Sequence, residues 1–321
     1  MLTYILFVVG FVLLLKGADF LVEGSSSIAK RYGLSPMIIG LTIVSFGTSL
    51  PELIINVLAS FKGSSAIAIG NIIGSNISNV LLILGFSAII YPISIKRSVV
   101  FTEIPFSLAA ITLVGFLGNI NLTQVEAYTT LSRLDGVILL FYFALFLGYI
   151  YQVSKDNKDF QLHSDAEIHT MKPTKAVVYI LIGIVCLFFG GEWTVEGAIH
   201  IARFFGLSEE FIGLTIIAIG TSLPELVTSA VAAYKKDTEI ALGNVIGSNI
   251  FNMLWILGIS SVINPLQFTG SLNDDLMIVL FSSSLIFLIL PFSEKNHMGR
   301  GAGLLFVSLY VVYIVYLVLK A

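Results

Sequence analysis

The sequence predicts an all-α membrane protein, with ten transmembrane helices laid out as two inverted five-helix repeats. Three observations carry that prediction. The 321-residue chain is 56% hydrophobic and only 12% charged, against roughly 25% charged in soluble domains. Apolar runs long enough to cross a hydrocarbon core of about 30 Å recur from end to end, and nothing shows the ten-residue alternation of a membrane barrel. The chain also repeats itself at an offset of 173 residues, pairing Asp19 with Glu192, Glu23 with Glu196 and Gly33 with Gly206 without a gap.

Breaks at Gly, Pro and charge clusters divide the chain into ten spans. Residues 2–22 form the first, which lacks the basic n-region and the A-x-A-like site of a signal peptide and reads as a retained span. Spans 36–60, 67–93, 101–118 and 134–152 complete the first repeat, residues 1–152. A polar stretch from Gln152 to Lys175 follows, so that 153–174 read as a cytoplasmic linker. Spans 175–197, 210–233, 240–264, 275–292 and 301–319 make the second repeat, residues 175–321.

Five spans per half force the second copy to enter the membrane from the opposite side. Charge supports this. With both termini outside, twelve Lys and Arg residues fall on inner loops, among them Lys30, Arg31, Lys235 and Lys236, and four (Lys62, Arg133, Arg203 and Lys320) fall outside. A net charge of −3 gives no reason to expect nucleic acid, and the lone Cys186 excludes an intrachain disulfide. The expected partners are membrane lipid and small inorganic cations, the expected unit is a monomer in the cell (inner) membrane, and no cofactor is expected.

The chemistry sits in two repeated motifs. "GTSLPEL" occurs at Gly47–Leu53 and again at Gly220–Leu226, and each copy places a glutamate near mid-span. A charge at that depth costs about 2.5–3.5 kcal/mol even on insertion scales, so Glu52 and Glu225 mark an ion or substrate pathway. Pro51 and Pro224 lack an N–H, so the carbonyls of Gly47 and Gly220 lose their helical donors and the helix is expected to break. Thr48, Ser49 and Glu52 would share one helical face, offering hydroxyl, carbonyl and carboxylate together. The second motif, "GNIIGSNISN" at Gly70–Asn79 and "GNVIGSNIFN" at Gly243–Asn252, adds Asn71, Ser75 and Asn79 in one half and Asn244, Ser248 and Asn252 in the other. Spaced by four, each set forms a slanting polar stripe. Such groups also serve simply to bond a neighbouring helix, a role open to Asn71 and Asn244 in particular.

Two carboxylates among neutral oxygens suit a hard cation. Ca2+ takes six to eight oxygens and Na+ accepts the same ligands, whereas Mg2+ holds its waters. With no His or Cys near the motifs, a transition metal is not expected. Enzymatic activity is not expected either, since Ser49 and Ser222 lack a His or Lys partner in the polar core. A cation channel remains a rival, separable by whether flux needs a counter-ion. Asp19, Glu23, Glu192 and Glu196 read as solvated helix ends or as gating residues.

The paired motifs in a duplicated five-plus-five layout resemble the sodium/calcium exchanger branch of the cation/calcium antiporter superfamily, prokaryotic type, over essentially the whole chain. The resemblance implies Na+/Ca2+ antiport by alternating access at a midplane site. It implies Ca2+ binding by Glu52 and Glu225 with the backbone carbonyls of Thr48 and Thr221. It further implies Na+ sites from Ser49, Ser222, Ser75, Ser248 and Asn79, with backbone oxygen at Ser45 and Ala218. The potassium-dependent and archaeal members place an aspartate where this chain has Asn252, which implies one carboxylate fewer and exchange without K+. Proton-coupled relatives tend to carry GNxxE, whereas here "GN" leads into "IIGS" and "VIGS". H+-coupled and K+-dependent antiport remain the alternatives.

Overall fold

The computed structural model describes residues 2–120, 129–156, 171–206, 218–268, 270–289 and 297–320. Helix α1 covers Leu2–Tyr32, α2 Pro36–Thr48, α3 Leu50–Phe61, α4 Ser65–Ile90 and α5 Arg97–Asn119; α6 covers Arg133–Asp156. In the second half, α7 spans Pro173–Phe204, α8 Leu223–Tyr234 after a short turn at Ala218–Gly220, α9 Thr238–Ile263, α10 Ser271–Ile289 and α11 Arg300–Lys320. Seven of these helices are each long and apolar enough to cross a membrane, and α2 with α3 makes an eighth span bent by 49°. The turn with α8, and α10, supply the remaining two. The fold is therefore the expected all-α membrane fold of ten spans, with residues 210–217 of the seventh outside the described residues.

α1 and α7 run on well past residues 22 and 197, where the apolar runs end. They form an antiparallel pair whose seam is glycine at heptad spacing. A Cβ on Gly17 would stand 2.9 Å from the carbonyl oxygen of Gly183, and one on Gly183 would stand 2.8 Å from that of Gly17. Gly10 meets Gly190 in the same way. Beyond them Gly24 faces Ile180 while Gly197 faces Phe7, the same contact displaced by the repeat offset. Lipid tails give helices no hydrophobic reason to associate, so this close backbone approach is what holds the pair together.

The repeat is visible in the backbone too. Among the described residues, the positive-φ positions are Gly33 and Gly206 (φ 65° and 75°), and Gly63 and Lys236 (φ 70° and 66°). Each pair is related by the offset. α4 and α9, the most enclosed of the membrane-spanning helices, both widen into π-helical turns that begin in the last two residues of the second motif, at Ser78–Leu84 and Phe251–Ile256. Two short antiparallel ribbons cross between halves: β1 (Ile93–Ser94) with β4 (His297–Met298), and β2 (Thr130–Leu131) with β3 (Leu266–Gln267).

Candidate ion-binding site

The two "GTSLPEL" copies break their helices at the same point. Ser49 (φ −84°, ψ 9°) and Ser222 (φ −88°, ψ 7°) are non-helical, and each is followed by a helix with Pro at its second position. The first donor to return across the break is Leu53 N, to Ser49 O at 3.1 Å; in the other half it is Leu226 N, to Ser222 O at 2.9 Å. The carbonyls of Gly47 and Thr48, and of Gly220 and Thr221, thus receive no donor from the helix that follows. Such backbone is tolerated at this depth only where it lines a cavity or is enclosed in protein.

Glu52 and Glu225 are fully buried, and among the described residues neither makes an ion pair. Glu225 takes its partner from the other half of the molecule, and Glu52 takes one from its own half that is itself bonded to the other. Ser49 Oγ donates to Glu225 Oε1 at 2.9 Å and lies 3.1 Å from Ser248 Oγ. Ser222 Oγ lies 3.1 Å from Ser75 Oγ, which in turn donates to Glu52 Oε1 at 3.4 Å. The sequence suggested that one segment would present its own hydroxyl and carboxylate on a shared face. Instead the break at the serine turns the Ser49 hydroxyl toward the carboxylate of the other copy.

The threonine hydroxyls are occupied. Thr48 Oγ1 donates to Asn244 Oδ1 at 3.1 Å and Thr221 Oγ1 to Asn71 Oδ1 at 3.4 Å. Asn244 donates to Ser229 Oγ at 3.0 Å and Asn71 to Asn56 Oδ1 at 2.8 Å, so Asn71 and Asn244 act as struts behind the threonines. The Ser45 carbonyl accepts from Ser49 N at 3.0 Å and from Thr48 Oγ1 at 3.4 Å, which leaves it already engaged. Ala218 opens the turn at Ala218–Gly220, and its side chain lies outside the described residues.

Asn79 and Asn252 are fully buried at the centre. Asn79 Nδ2 donates to Asn249 Oδ1 at 3.0 Å, and Asn252 Nδ2 donates to Asn76 Oδ1 at 2.9 Å and to Ser75 Oγ at 3.2 Å. Asn76 and Asn249 were not among the residues that the four-residue spacing selected. The signal was present in the motif, since "GSN" repeats identically in both halves.

With these bonds made, four buried side-chain oxygens in this cluster have no partner: Glu52 Oε2, Glu225 Oε2, Asn79 Oδ1 and Asn252 Oδ1. They form two pairs related by the repeat, and all are acceptors. An anion or a neutral donor-poor ligand has nothing to bind there; a hard cation does. A cavity of about 410 Å³ is lined by Pro51, Gly220 and Thr221 together with Glu192 and Glu196, toward the end of the molecule where α1 begins.

A cation site at the interface of inverted repeats, built on broken helices, defines a secondary transporter. The comparisons give it a family. The sodium/calcium exchanger protein model matches residues 2–152 and 175–319, and the chain belongs to that family. It is 37% identical over 311 residues to the putative antiporter CaxA of Alkalimonas amylolytica, covering 95% of each chain. It is 32% identical over 343 residues to the sodium/calcium exchanger MaX1 of Methanosarcina acetivorans, covering 98% of each. The solved structure of the sodium-calcium exchanger NCX_Mj, soaked with Na+ and Sr2+, superposes with a TM-score of 0.80 at 33% identity, covering 98% of both chains. The protein is thus a membrane-embedded cation/calcium antiporter.

Proposed function

We propose that the protein exchanges Na+ for Ca2+ by alternating access, both ions competing for Glu52 and Glu225. The four unpartnered acceptor oxygens carry this reading. Two carboxylates balance the charge of one Ca2+, and the amide oxygens of Asn79 and Asn252 with the freed carbonyls of Thr48 and Thr221 bring the oxygen count toward the six to eight that Ca2+ takes. Na+ uses the same set with Ser49, Ser75, Ser222 and Ser248. Either ion must neutralise the carboxylates before the protein can switch sides, and that requirement couples the two fluxes.

The repeats 1–152 and 175–321 would then be the two moving partners, joined by a cytoplasmic linker at 153–174, in a monomer of the inner membrane with both termini outside and no enzymatic step. With Asn252 in place of an acid, exchange runs without K+. Measuring Na+-driven 45Ca2+ uptake into proteoliposomes, with and without K+, tests both claims. Glu52→Gln and Glu225→Gln should each abolish uptake. Full-rate exchange in either variant would overturn the assignment of the site, and an absolute K+ requirement would overturn the role given to Asn252.

A further inference from the structure

The face that holds the linker is shut by charge. Lys235, just beyond the C-terminal end of α8, contacts Asp19 Oδ1 and reaches Glu23 Oε1 at 3.4 Å, both on α1. Asp19 and Glu23 are one turn apart and so present both carboxylates to a single ammonium. The next turn adds Ser26 Oγ, which donates to Asp237 Oδ2 at 3.0 Å. Behind this tie Val22, Thr48 and Thr228 are fully buried.

The repeat offset maps this arrangement onto the terminal face. Asp19 becomes Glu192, Glu23 becomes Glu196 and Lys235 becomes Lys62, so all three charges recur with the same signs. The geometry does not recur. Glu192 and Glu196 line the open cavity, Lys62 is exposed, and among the described residues these three make no ion pair. Val195, Thr221 and Ile55, the counterparts of the three buried residues, are partly exposed.

An inverted repeat has a second conformation available to it, in which each half adopts the present shape of the other. We propose that Asp19, Glu23 and Lys235 are one of two matched charge latches, and that Glu192 and Glu196 capture Lys62 to close the terminal face when the linker face opens. These are positioning residues: they touch no ion in the site and set which face is shut. The latches are unequal, because the counterparts of Ser26 and Asp237 are Ile199 and Ser64, which carry no equivalent charge-assisted bond. The molecule therefore favours the conformation seen here, closed on the linker face. This inference rests on the alternating-access reading above.

The test uses full-length protein in proteoliposomes with Cys186, the one native thiol, changed to Ala. Lys62→Cys with Glu196→Cys, the counterparts of Lys235 and Glu23, should cross-link under a mild oxidant and stop exchange, which reduction should restore. Separately, Lys62→Glu should lower the exchange rate by about fivefold and Lys62→Glu with Glu196→Lys should recover it to within about twofold, the scale expected of a partly exposed ion pair. A cysteine pair that never cross-links while Na+/Ca2+ exchange proceeds, or a charge swap no better than the single variant, overturns the latch and leaves the functional reading standing. Absence of exchange in the wild-type protein is the failure of the functional reading instead.

Discussion

The two faces of this molecule are built from nearly the same residues and differ in what those residues touch. On the linker face α1 packs along α8 and its acids hold Lys235. On the terminal face the equivalent surfaces of α7 and α3 stand either side of a cavity of about 410 Å³. Sequence symmetry combined with structural asymmetry is what the proposed pair of latches accounts for, each half holding a different shape in this structure. Contacts that repeat in both halves belong to the scaffold; contacts present on one face only belong to the switch.

The seam between α1 and α7 is scaffold, and breaking it should have the largest effect. Gly17→Val pushes a side chain into the Gly183 backbone and should cost about 3 kcal/mol or more, read as a large fall in Tm in detergent together with loss of exchange. Gly70→Ala is the contrast, because no atom lies within 4 Å of the added Cβ among the described neighbours, and its Tm should hardly move. Next comes the crossing between halves at the site. Ser49→Ala removes a hydrogen bond to the buried Glu225 carboxylate, a loss of about 1.5–3 kcal/mol, so Ca2+ affinity measured by calorimetry should fall by about tenfold or more.

A smaller change should shift the balance of the faces. Ser26→Ala loosens only the linker-side latch, and cross-linking of Lys62→Cys with Glu196→Cys should become about two- to fivefold faster in that background. The turn beneath it offers a comparison of similar size. Lys236 sits at φ 66° where its counterpart is Gly63, so Lys236→Gly should stabilise and Gly63→Ala destabilise, each by about 1 kcal/mol in chemical or thermal unfolding.

The smallest effect concerns Asp237, whose carboxyl is pushed above its ordinary range by burial, against the opposing pull of the Ser26 hydroxyl and Lys235. A raised folded-state value means that the folded protein binds more protons than the unfolded chain between the two titrations. Stability is therefore fully present below the unfolded value near pH 4 and declines as pH rises through the folded one. Asp237→Asn removes that decline. Its Tm should exceed the wild type's slightly at neutral pH and converge with it on acidification.

Much of this was legible in the sequence because membrane depth makes charge conspicuous. Glu52 and Glu225 stand alone in apolar runs, and the prolines beside them announce the break. What spacing could not supply was direction. Spacing by four picks out Ser75 and Asn79 and passes over Asn76, which lies three residues from Asn79 and so also faces that side; both Asn76 and Asn79 bond across to the other half. Nor does any local pattern reveal that Ser49 serves Glu225, because that contact needs the tertiary crossing of two segments 176 residues apart. Asp19, Glu23, Glu192 and Glu196 read as solvated helix ends or gating residues; α1 continues beyond its pair, and Gly24 to Ser27 are buried against the rest of the protein.

The two short ribbons carry a further consequence, for the order of assembly. β1 at Ile93–Ser94 finds its partner at His297–Met298, about 200 residues later in the chain, and β2 at Thr130–Leu131 waits for Leu266–Gln267. A ribosome releasing this chain from its N-terminus delivers the whole first repeat into the bilayer before either strand can pair. The first five spans must therefore wait as an incomplete bundle, with the Ser49 hydroxyl lacking its Glu225 partner, until the second five arrive. Insertion and folding are separated in time, because β1 cannot pair until the chain has been made as far as His297–Met298.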